Sequence, residues 1–209
     1  MKPDGRIGIL ISGRGTNMES ILRASEEGRI PAVTAVVISN EPAAPGIARA
    51  RDHGVETVVL DHRLAAGRED QDRRIVMTLE ERRVDLVCLA GYMKLLTPVF
   101  LRAYPGRILN IHPALLPAFP GLDVQKKALD YGVRYSGATV HFVDEGVDTG
   151  PIVLQAVVPV EKDDTPEALA ERILKEEHRI YPEAIRLFFQ DRLRIEGRKV
   201  RILPPPPGA

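Results

Sequence analysis

Short apolar runs alternate with helical periodicities through the first half of this chain. That alternation restricts the fold more than any other feature. Residues 6–12 read Arg-Ile-Gly-Ile-Leu-Ile-Ser and residues 33–39 Val-Thr-Ala-Val-Val-Ile-Ser; shorter runs follow at 56–60, 86–90 and 108–111. Continuous β-branched runs of this length suit strands of a sheet covered on both faces. Between them lie Met18, Ile21 and Leu22 at helical spacing, a short segment at 45–52 opened by Pro45, and a charged stretch at 68–83 carrying Ile75, Val76 and Leu79 on one face. Such alternation builds right-handed βαβ units. After His112 the order changes: 124–131 reads as a helix, 137–143 and 152–158 as strands with no helix between them, and 165–189 as a long helix. Residues 193–202 are short and basic, and 204–207 form a stiff proline tail. The expectation is an α/β chain with a Rossmann-like open sheet, mostly parallel with an antiparallel C-terminal extension, and helices on both faces. No repeat or linker interrupts the 209 residues, so 1–209 is expected to be a single domain.

Composition narrows the functional classes. Lys+Arg and Asp+Glu each number 29, so the formal net charge is zero and a general polyanion-binding surface is disfavoured. Aromatics are 5 % with no Trp, too few for a base-stacking platform. A single cysteine, Cys88, excludes an internal disulfide or a cysteine-built zinc site, and its apolar run suits a packed thiol. The first residues carry no apolar signal region, and the longest uncharged stretch, 108–122, contains three prolines. A cytoplasmic protein is expected, with no membrane and no nucleic-acid partner.

Ser12-Gly13-Arg14-Gly15-Thr16-Asn17 falls between the first strand and the first helix. Glycine permits tight turns and close approach of backbone amides to a ligand, and Thr16 or Asn17 could cap a helix whose start favours an anion. No Gly-Lys-Ser/Thr follows, and the third glycine of a dinucleotide fingerprint is replaced by Met18. A phosphate monoester site fits the loop better than a dinucleotide; a ligand-free tight turn fits it as well.

The segment Asn110-Ile111-His112-Pro113-Ala114-Leu115-Leu116-Pro117 follows the fifth strand. Asn110 and His112 point to the same side of a strand, at the carboxyl end where open α/β sheets build their sites. An amide that stabilises an oxyanion beside an imidazole that shuttles a proton suits acyl chemistry. A structural His-Pro turn is the other reading. Asp148, in Gly146-Val147-Asp148-Thr149-Gly150-Pro151, reads alone as a turn residue. It gains meaning only if the fold brings it beside His112, where a carboxylate would favour the charged imidazole. None of Ser12, Ser20, Ser39 or Ser136 lies in a nucleophile-elbow context.

These pieces, with Leu89-Ala90-Gly91-Tyr92-Met93-Lys94, Gly137-Ala138-Thr139-Val140-His141-Phe142 and Glu177-His178-Arg179-Ile180-Tyr181-Pro182, make a pattern that resembles the phosphoribosylglycinamide formyltransferases over residues 6–187. The Asn-x-His and distant Asp are shared by the wider folate-dependent formyltransferase superfamily. The glycine loop and the Glu-His-x-Ile-Tyr-Pro segment point to the glycinamide ribonucleotide branch. The resemblance implies that Asn110, His112 and Asp148 are catalytic. It implies that Gly15, Thr16, Asn17 and Glu177 bind the ribonucleotide. It implies a folate site of Arg68, Met93, Lys94, Leu95, Leu96, Asn110 and the loop from Asp144 to Asp148. Ala114 and Lys94 depart from the pattern, where Ser and Arg are frequent. His141 lies near the site in the family, with a structural and a proton-transfer role both open.

The resemblance further implies direct formyl transfer from 10-formyltetrahydrofolate, a co-substrate, to the amine of 5-phosphoribosylglycinamide, without a metal, by a monomer or homodimer. Three rivals share the fold. A 10-formyltetrahydrofolate hydrolase carries an extra N-terminal domain, for which this chain is expected to leave no room. A methionyl-tRNA formyltransferase needs a further C-terminal domain and a basic surface. A non-catalytic ligand-binding module predicts that Asn110, His112 and Asp148 do not converge.

Overall fold

The computed structural model describes residues 5–205; residues 1–4 and the end of the proline tail, 206–209, lie outside the described residues. The chain divides into two compact units, with the boundary after Asn110.

The first unit runs β1 (Gly5–Ile11), α1 (Thr16–Glu26), β2 (Ala32–Ser39), α2 (Gly46–Asp52), β3 (Thr57–Val59), a 3-10 turn (His62–Leu64), α3 (Arg68–Glu81), β4 (Leu86–Leu89), α4 (Pro98–Ala103) and the start of β5 (Ile108–His112). Every strand pair here is parallel, in the order β3-β2-β1-β4-β5. The chain winds outward from β1 through β2 to β3, then returns to β4 on the other side of β1. Right-handed crossovers then put α1 and α2 on one face and α3 and α4 on the other. Accordingly α1 packs on α2, and α3 on α4. Ile7, Ile9, Leu10 and Ile11 are all fully buried, because a doubly covered strand has no wet face. Burial of each such side chain is worth about 1.5–3 kcal/mol. Gly8 interrupts the run because a side chain there would strike Leu79 of α3 and approach Val84 to 3.2 Å.

The second unit holds α5 (Val124–Tyr131), β6 (Tyr135–Phe142), β7 (Ile152–Pro159), α6 (Pro166–Phe189), β8 (Leu193–Glu196) and β9 (Lys199–Ile202). β6 and β7 are antiparallel from Tyr135 opposite Pro159 to His141 opposite Ile152, with an irregularity between Val140 and His141. α6 lies against both. It starts at Thr165, whose hydroxyl accepts from Ala168 N at 3.2 Å, and it buries Leu169, Ile173, Glu177, Ile180, Tyr181 and Ala184 along one stripe.

Two elements depart from the sequence expectation. Residues 193–202 form a hairpin, closed at Gly197 with φ +61° and tied by Arg201 to Glu196 at 2.9 Å. Leu-Arg-Ile-Glu and Lys-Val-Arg-Ile alternate apolar and charged residues, a strand pattern hidden by the shortness of each run. α4 has only six residues, too few to show a period. Among the described residues no helix is long and apolar enough to cross a membrane, and no group of three or more His, Cys, Asp or Glu could hold a metal ion.

Candidate active site

His112 ends β5 with 4 % of its surface exposed. Its Nε2 lies 2.9 Å from the Phe119 carbonyl oxygen. A carbonyl only accepts, so Nε2 carries a hydrogen and the tautomer is set. The other nitrogen, Nδ1, faces Asp148 Oδ2 at 3.3 Å. Asp148 stands in the left-handed region, φ +55°, and the same Oδ2 accepts from Gly121 N at 2.9 Å. Its second oxygen meets His141 Nε2 at 3.6 Å. His141 Nδ1 lies 2.8 Å from the Phe142 carbonyl. One carboxylate therefore sits between two imidazoles, each oriented by a backbone carbonyl.

The electrostatics refine the sequence expectation. Burial is the largest influence on His112 and pushes its pKa below the ordinary value, although the Phe119 carbonyl and the Asp148 charge both pull upward. Asp148 acts in the expected direction but does not win. For Asp148 burial works upward, yet hydrogen bonds from His141 and Gly121 and the charge of His112 together hold it below the usual carboxylate value. With the Nε2 hydrogen committed to the Phe119 carbonyl, a proton taken up by the ring sits on Nδ1, facing the Asp148 carboxylate.

In the first unit the glycine loop has the geometry of an anion cradle. Gly15, at φ +75°, is the N-cap of α1, and no side chain caps the helix. The expectation that Thr16 or Asn17 would cap it is corrected: both lie inside the first turn. A side chain on Gly15 would meet Gly46 Cα at 2.9 Å, and one on Gly46 would meet Gly13 O at 3.0 Å. Two backbones touch here, and Gly46 N donates to Gly13 O at 3.0 Å. The start of a helix beside bare backbone favours a phosphate.

The remaining positions are as follows. Arg68 opens α3 beside an open cleft of about 560 Å³ whose charged lining is Arg68, Glu69, Asp70 and Arg73. Met93 and Leu95 are 64 % and 54 % exposed, Lys94 is exposed and Leu96 half-buried, in an irregular segment after β4. The cleft carries two carboxylates, Glu69 and Asp70, as well as two guanidinium groups, and Arg73 is paired with Glu69 at 2.8 Å. Asp144 is occupied in bracing its own loop, with Oδ1 accepting from Thr149 Oγ1 at 2.6 Å and Gly146 N at 3.1 Å. Glu177 lies on α6 and is 6 % exposed. Asn110 lies on β5, two positions before His112 and half-buried.

Residues 5–185 match the family model described as formyl transferase. The chain belongs to that family. It is 44 % identical to a phosphoribosylglycinamide formyltransferase of Haemophilus influenzae over 91 % of this chain and 90 % of that protein. It is 47 % identical to the trifunctional purine biosynthetic protein adenosine-3 of Drosophila melanogaster over 86 % of this chain, but it spans only 14 % of that protein's length. Among solved structures, a glycinamide ribonucleotide transformylase 1 from Symbiobacterium toebii is similar at TM-score 0.94 and 58 % identity, covering 95 % of this chain and 94 % of that one.

Within this formyl transferase, backbone partners are what the sequence did not disclose. Phe119 O and Gly121 N hold His112 and Asp148, and a main-chain group leaves no residue-type signature. The only trace was the Pro- and Gly-rich composition of 113–121. Nor was Asn40 singled out, although it is 1 % exposed and accepts from the Ser12 hydroxyl at 2.6 Å.

Proposed function

We propose that this formyl transferase moves the formyl group of 10-formyltetrahydrofolate to the amine of 5-phosphoribosylglycinamide. The products are formylglycinamide ribonucleotide and tetrahydrofolate, in de novo purine (IMP) biosynthesis, and the chain acts as one cytoplasmic formyltransferase domain. The observation that carries this reading is the buried imidazole of His112 held between the Asp148 carboxylate and the Phe119 carbonyl. The approach of Asp148 to His112 supports this reading over a non-catalytic module, for which the two groups need not converge.

Gly15, Thr16 and Asn17 hold the ribonucleotide phosphate, and Glu177 contacts the same substrate. Arg68, Met93, Lys94, Leu95 and Leu96, with the loop from Asp144, hold the folate. The glycinamide nitrogen forms a bond to the formyl carbon, and its carbonyl oxygen becomes an oxyanion. Asn110 donates to that oxygen, and His112 stabilises the growing negative charge as it gains a proton, with Asp148 offsetting the positive charge that results. As the carbon–N10 bond breaks, the proton lost by the amine is delivered to N10. Bonds, charges and protons balance with no change of oxidation state.

The test is a transfer assay with both substrates. Formyl-folate consumption that depends on the ribonucleotide supports the reading. Consumption in its absence establishes the hydrolase instead.

A further inference from the structure

Three segments meet at one hydroxyl in the first unit, and none of the roles above uses it. Ser12 follows β1 and begins the glycine loop. Its backbone N–H donates to Gly91 O at 3.1 Å. Its hydroxyl accepts from Met93 N at 2.9 Å and lies 2.6 Å from Asn40 Oδ1, at the end of β2. The hydroxyl that accepts the Met93 N–H keeps its own proton for Asn40, and 2.6 Å is a strong O–H···O distance. Asn40 is tightly placed: it is 1 % exposed, and its carbonyl accepts from His62 N at 3.3 Å. Among the described residues its Nδ2 has no hydrogen-bond partner, so its side-chain oxygen alone is what the fold uses. The Met93 N → Ser12 Oγ → Asn40 Oδ1 chain therefore anchors two loops to one buried side chain.

The two loops are those given above to different substrates. Ser12 leads directly into Gly13 and Gly15, and Met93 opens the exposed segment that continues through Leu95. β1 and β4 are neighbours on either side of the point where the strand order reverses, so their following loops leave the sheet side by side. We propose that Ser12 is a positioning residue that locks the glycine loop to the loop after β4, so that the ribonucleotide and folate sites are set as one unit. This rests on the substrate assignments above. Loss of the hydroxyl releases both loops at once, whereas a residue belonging only to the phosphate loop affects one substrate.

Ser12→Ala is therefore expected to raise KM for the ribonucleotide and for formyl-folate together, each roughly 3- to 10-fold, the scale of one neutral hydrogen bond. kcat should change less, and Ser12→Thr, which keeps the hydroxyl, should restore both values toward the parent's. Asn40→Ala cuts the same chain at its other end, outside both loops, and keeps the test open if Ser12→Ala folds poorly. It should reproduce the double effect, and the paired variant should be no worse than either single one. A rise confined to one substrate, or unchanged KM values with only a lower melting temperature, overturns the inference. A parent protein inactive with the two substrates defeats the functional reading itself. An active parent with indifferent Ser12 and Asn40 variants defeats only the coupling.

Discussion

The surroundings of His112 leave its ring few choices. A carbonyl fixes the hydrogen on Nε2, and a carboxylate faces Nδ1. Removing Asn110 or His112 by substitution with Ala should lower the transfer rate by about 10²–10³, the usual loss for one oxyanion-stabilising group. The thermal melt should stay close to the parent's, and near-normal turnover would remove that residue from the mechanism. Asp148→Asn isolates the carboxylate charge, since the new amide can still accept from Gly121 N. With burial unopposed by that charge, the His112 titration should move further down, read by nuclear magnetic resonance of its ring protons. A midpoint that holds or rises would mean that Asp148 does not govern the imidazole. At this scale the sequence was informative about residue types. Asn110 and His112 stood out by their spacing. Asp148, which alone reads as a turn residue, entered through the family resemblance, and the structure places it 3.3 Å from His112. The net direction at His112 was not legible. It depends on how deeply the fold buries the ring, which no local motif states.

Among the elements, the hairpin of β6 and β7 and the loop between them set where Asp148 stands. Gly150 begins the return, and a methyl group there would collide with the Phe142 carbonyl oxygen and come within 2.8 Å of its carbon. Both are backbone atoms, so no side-chain rotation relieves the clash. Gly150→Ala should cost about 1–3 kcal/mol of stability, the range for overpacking. Because Asp148 is only two residues away, turnover should fall by more than the unfolded fraction explains. Parallel urea melts and rate measurements on the folded protein separate the two, and a variant with parent-like kcat would show that the loop tolerates displacement. Long periodic elements were legible: α5 lies at 124–131 as read, and α6 starts within a residue of the expected position. Short or polar ones were not. α4 opens with Pro98 and ends after six residues, and β8 and β9 alternate apolar and charged residues over only four positions each, in a segment read as short and basic.

The strand order 3-2-1-4-5 is the part of the whole molecule that hydrophobic pattern alone left open, because periodicity identifies strands but not their neighbours. Arginine partners hold carboxylates such as Asp61 and Asp164 below the usual range. Three further groups add to the pH response of the fold. His112 is held below its ordinary 6.5 and Asp148 below 3.8. The unfolded chain binds protons at these groups before the folded one does, so both add stability as pH rises toward those values. Asp72 on α3 opposes them. It is 3 % exposed, and burial raises its pKa above 3.8 despite a 2.6 Å hydrogen bond from Thr97 N and the attraction of Arg68. The folded state then binds the proton first, so this group costs stability once pH exceeds its folded pKa, and the cost vanishes below 3.8. Asp72→Asn keeps an acceptor for Thr97 N and removes the buried charge. Its melting temperature at pH 7.5 should equal or exceed the parent's, with the difference closing as pH falls through the carboxylate range. If the variant were instead less stable at neutral pH, the attraction between Asp72 and Arg68 would outweigh burial. The carboxylate would then count as a stabilising partner of Arg68 rather than as a cost the fold absorbs.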